Sequence, residues 1–379
     1  MFGDVVRRSK ERVGDPIARG LRRYVGLEHL DPGSLRIRRW GDVSDGTTFT
    51  SVFRPGQVLF GKRRAYQHKV AVADFEGVCS GDIYVLEPRD PSILLPELLP
   101  FVCQSDGFLD HAVETSAGSL SPRTNWESLA GFEFTLGSPE AQAAVSKILI
   151  ASSTVVESYE RARSDHSRVL LAMSNELASL GSTQRPIADL LLDVIDFRGR
   201  TPKKLKMSWG GDIAALSARN VLMGRIDLGR DTNYGSDALY RRWMTKGDLR
   251  KGDILFTTEA PLGNVCLLED DRRFILSQRV VALRPDPAIV EPSFLVAVLR
   301  SADFRRALAQ RTTGSTATGV RVAALKEIPV NIPGLDAQQA ATETLGRLEE
   351  AEGRISERHS TAVKVHRGLL TAVFSGERG

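Results

Sequence analysis

Lys62, in a 379-residue chain, directly follows a run bounded by Gly56 and Gly61 and is a candidate for binding a nucleotide phosphate. The run from Gly56 to Lys62 has the spacing of a phosphate-binding loop up to that lysine. Such a loop needs a serine or threonine hydroxyl at the next position to hold magnesium, and Arg63 is there instead. It also needs a flexible turn, whereas Val58 to Phe60 is typical of a strand. The sequence therefore argues against nucleotide binding here.

Histidines and cysteines are the other candidates for metal binding or nucleophilic catalysis. They are His29, His68, His111, His166, His359, His366, Cys79, Cys103 and Cys266. None has partners at metal-ligand spacing, and three scattered cysteines fit a reducing cytoplasm better than a disulfide framework. The sequence also lacks a methyltransferase Asn/Asp-Pro-Pro-aromatic motif, a glycine-rich cofactor fingerprint and a compact acidic cluster for a nuclease metal. We expect a non-catalytic chain with no cofactor or metal.

Composition indicates a globular protein that could bind phosphates. With 42% hydrophobic residues the chain is long enough for two domains with separate cores. The net charge is +4, and the excess comes as arginine and lysine doublets, which suit phosphate binding but also fit a solvated surface. The most apolar window, Ile93 to Cys103, contains two prolines and is far shorter than the roughly 20 residues that span a bilayer. We expect a cytoplasmic protein.

An internal repeat organises the sequence. GQVLF at Gly56 to Phe60 recurs as GDILF at Gly252 to Phe256, which is 196 residues later (252 − 56). The same offset relates Gln142 to Gln338. One offset that holds over so many positions is hard to obtain by chance. The chain is therefore expected to contain two copies of one structural unit.

Each copy has β-prone runs, then a short helix, then a long helical stretch. The short helices are expected at 96–112 and 292–309, each with a proline near its first turn. The long stretches run from about 138 to 180 and from about 336 to 374. This order predicts an α+β fold with two pseudo-symmetric domains.

The two long stretches share a heptad pattern that predicts coiled-coil pairing over roughly 60 Å. The alternative is two ordinary amphipathic helices packed against other elements. If the helices pair antiparallel, the numbers of facing residues sum to about 518. The polar seam residues then pair as Ser152 with His366, Tyr159 with His359, and His166 with Glu352.

Eight segments run in a defined order through the two halves. They are YVGLEHLDPGSLRI (24–37), VLFGKRRAYQHKVAVADFEGVCSGDIYVL (58–86), QSDGFLDHAVETSAGSLSPR (104–123), GRTPKK (199–204), GGDIAALSARNV (210–221), TTEAPLGNVCLL (257–268), LSQRVVALRP (276–285) and TTGSTATGVRVAALKEIPVNIP (312–333). In that order, and with a helix after each half, the chain resembles the specificity subunits of type I restriction-modification enzymes. One departure is ETSAGSLSPRTNW in the first half, where the second has the more family-like RTTGSTATGVR.

The resemblance implies two target-recognition domains, at 1–137 and 181–334, separated by two long antiparallel coiled-coil helices at 138–180 and 335–376. Each domain would read one half of a bipartite double-stranded DNA target, and the helices would fix the spacing. The helices would dock two adenine-N6 methyltransferase subunits, which the restriction and translocase subunits would join. S-adenosylmethionine, magnesium and ATP would belong to those partners. The same scaffold could instead serve a methylation-only or other phage-defence complex, whereas a single-chain nuclease or methyltransferase is disfavoured.

Residues with long donors, amides or hydroxyls near strand ends and turns are the expected DNA contacts. Arginine can read guanine, asparagine and glutamine can read adenine, and lysines mostly hold phosphates. The set is Lys62, Arg63, Arg64, Tyr66, Lys69, Ser119, Arg123, Arg200, Lys203, Lys204, Arg219, Asn220, Thr258, Glu259, Asn264, Gln278, Arg279 and Ser315.

Overall fold

The computed structural model describes residues 1–181, 183–313 and 318–374. The chain divides into two compact units, one formed by Met1–Ala162 with Ile355–Gly379 and the other by Arg163–Arg354. Each unit contains part of both long helices, because the division falls within them.

Unit 1 contains two four-stranded sheets and several helices. Its strands are β1 (Val6–Arg8), β2 (Arg23–Val25), β3 (Gly41–Asp42), β4 (Ser51–Phe53), β5 (Val58–Gly61), β6 (Val70–Val72), β7 (Gly77–Cys79) and β8 (Ile83–Pro88). Its helices are α1 (Phe2–Val5), α2 (Leu99–Gln104), α3 (Asp106–Glu114), α4 (Trp126–Ala130) and the first part of α5 (Pro139–Ser179). One sheet has the antiparallel order β1-β8-β5-β6, and the other has the order β3-β2-β7-β4 with a parallel β2–β7 pair.

Unit 2 repeats this arrangement. Its strands are β9 (Thr183–Pro186), β10 (Leu191–Ile195), β11 (Ile213–Leu216), β12 (Val221–Leu222), β13 (Arg225–Ile226), β14 (Asn233–Gly235), β15 (Ile254–Thr257), β16 (Val265–Leu267), β17 (Ile275–Leu276), β18 (Val280–Pro285) and β19 (Pro329–Ile332). Its helices are α6 (Asp237–Trp243), α7 (Pro292–Arg300), α8 (Ala302–Ala309), α9 (Val322–Lys326) and the first part of α10 (Leu335–Phe374). The order β10-β18-β15-β16 matches β1-β8-β5-β6 of unit 1. The three-stranded order β14-β11-β17, with a parallel β11–β17 pair, matches the β3-β2-β7 part of the second sheet of unit 1. These matches confirm the predicted repeat.

Buried apolar side chains on the sheets explain why these short strands form. Every residue of β5 and of β15 is buried, and Phe60 and Phe256 pack edge-on against Phe108 and Phe304 with ring centroids 5.4 and 6.3 Å apart. The Phe256–Phe304 pair lies 196 residues after the Phe60–Phe108 pair, so the two cores are built from equivalent contacts. Fully burying an aromatic side chain contributes about 1.5–3 kcal/mol.

The short helix predicted in each half is wrong in its extent, because each is interrupted by a serine. Ser105 and Ser301 have extended backbones, with ψ of 143° and 155°. Their hydroxyls accept hydrogen bonds from the N–H groups of Phe108 and Phe304 and thereby start a second helix. An N-cap of this kind satisfies a backbone donor that a helix leaves unpaired.

One glutamine in each unit joins a long helix to its own domain. Gln142 is buried, and its side chain donates to the carbonyls of Ile93 and Gly137 at 2.8 and 2.9 Å and accepts from the N–H of Leu95 at 3.0 Å. Gln338 makes the same three contacts with Ile289, Pro333 and Glu291, each 196 residues later. The start of each long helix is therefore held at the same place in each repeat.

The antiparallel pairing of α5 and α10 is confirmed within each unit. In unit 1 the Oγ of Ser152 lies 2.8 Å from Nδ1 of His366, which is the predicted pair, and His359 lies 3.9 Å from Glu160. In unit 2 the Nε2–H of His166 donates to the carbonyl of Leu348 at 2.7 Å, one turn before the predicted partner Glu352. Ser152, His166 and His359 thus have protein partners, which favours one register over others. The partner of His359 is Glu160, the residue after the predicted Tyr159.

Candidate nucleic-acid interface

Three arginines and a carboxylate form a cluster where strand β5 of unit 1 ends. The carboxylate of Asp82, in the turn before β8, accepts from Arg63 at 3.2 Å and from Arg123 at 2.9 Å. A backbone bridge between Arg63 and Arg123 brings the loop at 115–125 to the same place. Burial raises the pKa of Asp82, but the hydrogen bonds and charges of Arg123 and Arg63 outweigh it and leave the pKa below its usual value. The carboxylate therefore stays ionised and orients both guanidinium groups.

Ser121 connects the remaining arginine to this cluster. Its hydroxyl accepts from Arg63 at 3.1 Å and from Arg64 at 3.3 Å, and Arg64 has a left-handed backbone with φ of 54°. Ser119 and Leu120 lie exposed in the same loop, and 90% of Leu120 is accessible. A loop with such an exposed leucine beside arginines has the apolar and donor groups that contact DNA grooves and phosphates.

Lys62 adjoins the cluster and contacts an aromatic ring. Its Nζ lies 4.8 Å from the centroid of the Tyr84 ring. Burial and the positive charges of Arg8, Arg123 and Arg12 outweigh the attraction of Asp82 and lower the pKa of Lys62. The lysine is therefore in a place where an added negative charge would be favourable.

Tyr66 and Lys69, which the sequence grouped with these residues, line a different cavity of unit 1, away from the arginine cluster. Tyr66 is 53% exposed, whereas Lys69 donates to the carbonyl of Leu27 at 2.6 Å. The ammonium group of Lys69 thus already has a hydrogen-bond acceptor within the protein.

The equivalent strand end of unit 2 carries an ion pair of reversed polarity. Glu259 pairs with Arg279 at 3.2 Å, and these residues are equivalent to Arg63 and Asp82, because the flanking strands start at equivalent positions. Gln278 is exposed beside Arg279, and Arg279 has φ of 65°. Unit 2 therefore presents an amide and one guanidinium where unit 1 presents several arginines.

Three other candidates in unit 2 have side chains that are bound internally. Asn220 is fully buried, accepts from Ser217 and donates to the carbonyl of Arg230 at 2.8 Å. Thr258 is buried and accepts from Arg198 at 3.1 Å, and Asn264 donates to the carbonyl of Val221 at 2.9 Å. These contacts hold the loops that carry the exposed residues.

The basic segment after β10 contains both occupied and exposed groups. Arg200 donates to the carbonyl of Trp243 and to the Thr245 hydroxyl, and Lys204 donates to the carbonyl of Gly199 at 2.7 Å. Lys203 is exposed. Arg219, on the neighbouring loop, is exposed and paired with Asp231. Exposed cations of this kind can exchange a protein carboxylate for a phosphate at small cost.

The sequence and the fold of this chain are similar to those of known proteins. Residues 191–364 match the type I restriction modification DNA specificity domain. The matched segment is 174 residues long (364 − 191 + 1), which is slightly less than half of the 379-residue chain. The EcoDI specificity subunit of Escherichia coli is 27% identical over 117 residues, a stretch that spans 28% of this chain and 25% of that protein.

Solved structures of type I restriction-modification proteins have a fold similar to that of this chain. The type I S subunit from M. genitalium is 12% identical and covers 98% of this chain, with 94% of its own length matched and a TM-score of 0.58. A chain from a type I restriction-modification system whose assembly and conformational transition were described is 16% identical, with 98% and 96% covered and a TM-score of 0.53. This chain therefore shares its mixed α and β architecture with two long helices with these solved structures.

The sequence did not predict two residues of the arginine cluster, and one of the DNA contacts that it did predict lies outside the residues that the structure describes. Asp82 and Ser121 orient the arginines, and Asp82 could have been found from its equivalence to Arg279. Ser315 lies outside the described residues. Within 1–181, 183–313 and 318–374 no group of three or more histidine, cysteine or acidic side chains could hold a metal ion. None of the helices in those ranges is long and apolar enough to cross a membrane.

Proposed function

We propose that this chain is the DNA-reading subunit of a type I complex and that each unit reads one half of a bipartite target. The duplication carries the proposal: the two units have equivalent four-stranded sheets, and each presents charged side chains at the ends of equivalent strands. A pseudo-two-fold protein suits two half-sites at a fixed separation. The predicted domains at 1–137 and 181–334 would be the readers, and the helices at 138–180 and 335–376 would set the spacing.

The proposed contacts divide by how their side chains are held. Exposed groups and the half-buried Arg63 would meet DNA directly: Gln278 would read adenine, and Arg63, Arg64, Arg123 and Arg279 would read guanine or hold phosphates. Lys203 and Lys204 would hold phosphates. The internally bonded side chains of Asn220, Thr258, Asn264, Arg200 and Lys69 would position the loops around the exposed groups.

In this proposal the chain contributes recognition and its partners contribute catalysis. Two adenine-N6 methyltransferase subunits would dock on the paired helices, and restriction and translocase subunits would join them. S-adenosylmethionine, magnesium and ATP would be bound by those partners. The thiols of Cys79 and Cys266 would not act as nucleophiles in this proposal, because burial raises the pKa of each to about 12 and leaves both protonated.

Exchanging residues 185–334 for the same segment of a relative tests the two-reader proposal. Methylome sequencing of the host should show one changed half-site, with the other half-site and the spacer length unchanged. Simultaneous change of both half-sites would contradict independent reading. Methylation without restriction of unmodified DNA would assign the chain to a methylation-only complex.

Two variants of unit 2 test the contacts. Gln278→Ala should relax one base position by about 1–3 kcal/mol, while Lys203→Ala/Lys204→Ala should weaken binding to all sequences and flatten its salt dependence. Gln339→Ala, on the exposed face of α10, is the control. If both test variants match this control in affinity and in specificity, the contact assignment is wrong.

A further inference from the structure

A cleft of about 360 Å³ in unit 1 is lined by four basic side chains and one acidic side chain among eleven residues. Strand β1 ends at Arg8, and the next residues run beside β4 and β8, where the N–H of Ser9 donates to the carbonyl of Val85 at 2.8 Å. Arg8, Lys10 and Arg12 line the cleft together with Lys62. Four cations therefore surround one concave surface.

Arg8 and Lys62 share the Tyr84 ring that forms part of the cleft. The Cζ of Arg8 lies 5.4 Å and the Nζ of Lys62 lies 4.8 Å from its centroid. An aromatic face holds a cation without neutralising it, because the attraction is to the ring quadrupole. Both positive charges therefore remain available to an anion.

The acidic residue of the cleft is already engaged elsewhere. Glu11 accepts from Arg54 at 2.9 Å and from Arg19 at 2.7 Å. The hydrogen bond and charge of Arg54, aided by Arg19, lower the pKa of Glu11. Within the described part of the chain, no ion pair with a carboxylate is formed by Arg8, Lys10, Arg12 or Lys62. The cleft thus has an excess of positive charge that the protein leaves uncompensated.

The equivalent place in unit 2 is neutral. Register along the sheets places Val194 at the position of Arg8, since these residues pair with Leu283 and Leu86 at equivalent points of β18 and β8. Counting on from there, Asp196 replaces Lys10 and Arg198 replaces Arg12, while Thr258 replaces Lys62. Arg198 pairs with Asp196 at 2.7 Å and donates to Thr258. The repeat shows that this fold does not require the four cations, so a structural role does not explain them.

From these contacts we infer that the cleft of Arg8, Lys10, Arg12 and Lys62 binds a phosphodiester of the DNA backbone beside the first half-site. The inference rests on the proposed function, because Lys62 joins the cleft to the cluster of Arg63, Asp82 and Arg123. Phosphate contacts fix the register of a protein on DNA without reading sequence. Unit 1 would therefore hold the backbone through a contact that unit 2 lacks.

The test compares the full chain, in complex with its partner subunits, with an Arg8→Gln/Arg12→Gln variant. The probes are a 40-base-pair duplex containing the methylome-defined target and an unrelated duplex of the same length. We expect the variant to bind both about 10- to 100-fold more weakly at physiological salt. We also expect the slope of log K against log salt to fall by about 1, since each phosphate contact contributes about 0.9. The methylated sequence should not change.

Three comparisons make the result decisive. Arg7→Gln/Arg89→Gln removes the same charge from exposed positions, where Arg7 pairs with Glu87, and should leave the affinity near that of wild type. Arg8→Lys/Arg12→Lys keeps both positive charges and should retain most of the wild-type affinity. All variants should unfold at the wild-type temperature.

Two outcomes would contradict the proposals. If Arg8→Gln/Arg12→Gln binds DNA with the wild-type affinity and salt slope, the inference is wrong, while DNA binding by Lys203 and Lys204 is unaffected. Failure of the wild-type complex to bind either duplex would overturn both proposals.

A small-molecule anion would give a different result. Inorganic pyrophosphate, titrated at constant ionic strength without DNA, should bind only weakly to a site shaped for a backbone phosphodiester. Micromolar binding that the Arg8→Gln/Arg12→Gln variant abolishes would overturn the assignment to DNA.

Discussion

Replacing Gln338 with leucine should loosen the start of α10 from unit 2. The side chain is fully buried and makes hydrogen bonds of 2.8, 2.8 and 3.1 Å to backbone groups of Glu291, Pro333 and Ile289. Leucine has a similar volume and removes all three bonds. One N–H and two carbonyls then lose their partner in a place where water has little access.

The expected cost follows from those three groups. An intramolecular hydrogen bond contributes about 1 kcal/mol net, and an unsatisfied buried partner costs about 1–3 kcal/mol. Because Glu291, Pro333 and Ile289 are only partly buried, water can reach some of the freed groups. We therefore expect a loss of about 2–4 kcal/mol in the free energy of unfolding.

Urea unfolding followed by tryptophan fluorescence measures this loss, since Trp209 and Trp243 lie in unit 2. With an m-value of about 2–3 kcal/mol/M, the midpoint should fall by about 1 M. Gln339→Leu is the matched control, because it makes the same chemical change at the next, exposed residue. Gln142→Leu should cause a similar loss in unit 1. A Gln338→Leu midpoint equal to that of Gln339→Leu would refute the argument.

Three further predictions concern the cluster, the helix seam and the caps. Asp82→Asn should raise affinity for unrelated duplexes and reduce the ratio between target and unrelated affinities, because Arg63 and Arg123 lose the carboxylate that orients them. Burial lowers the pKa of His366 below 6.5, so the imidazole binds a proton more tightly in the unfolded chain than in the folded one. The free energy of unfolding should therefore be highest above about pH 7 and should decrease as the pH falls through 6.5. In unfolding free energies measured from pH 5 to 8, His366→Gln should make this decrease smaller. Ser301→Ala should cost about 1 kcal/mol in urea unfolding through the lost cap, and an unchanged midpoint would contradict this.

Patterns that repeat along the chain could be predicted from the sequence. The heptads predicted helices at 138–180 and 336–374, and the structure has them at Pro139–Ser179 and Leu335–Phe374. The antiparallel register gave the Ser152–His366 pair. The spacing of apolar residues within a short stretch of sequence indicates which face of a helix or strand is apolar, so no knowledge of distant residues is needed.

Side-chain partners distant in sequence could not be predicted in this way. Asn220 has the same amide whether it faces a base or the carbonyl of Arg230, ten residues away, and the structure shows the second arrangement. The pairing of Asp82 with Arg123 depends on a loop returning to the strand end. The helix interruption at Ser105 depends on its hydroxyl capping the next helix, which competes with the helical pattern on both sides.

The contacts that the two repeats share and those in which they differ lie in different places. The contacts that place the helices are the same in both units: Gln142 and Gln338 bond loop backbone, the serines cap helices, and the paired phenylalanines join helices to sheets. At the strand ends, by contrast, Arg63 with Asp82 becomes Glu259 with Arg279, so the order of charges is reversed while the bridge between the same two strands remains. A reversed pair keeps the loop in place and presents a different pattern of donors and acceptors outward. This separation lets one scaffold carry two different reading surfaces, because substitutions at the strand ends leave the contacts that hold the helices unchanged.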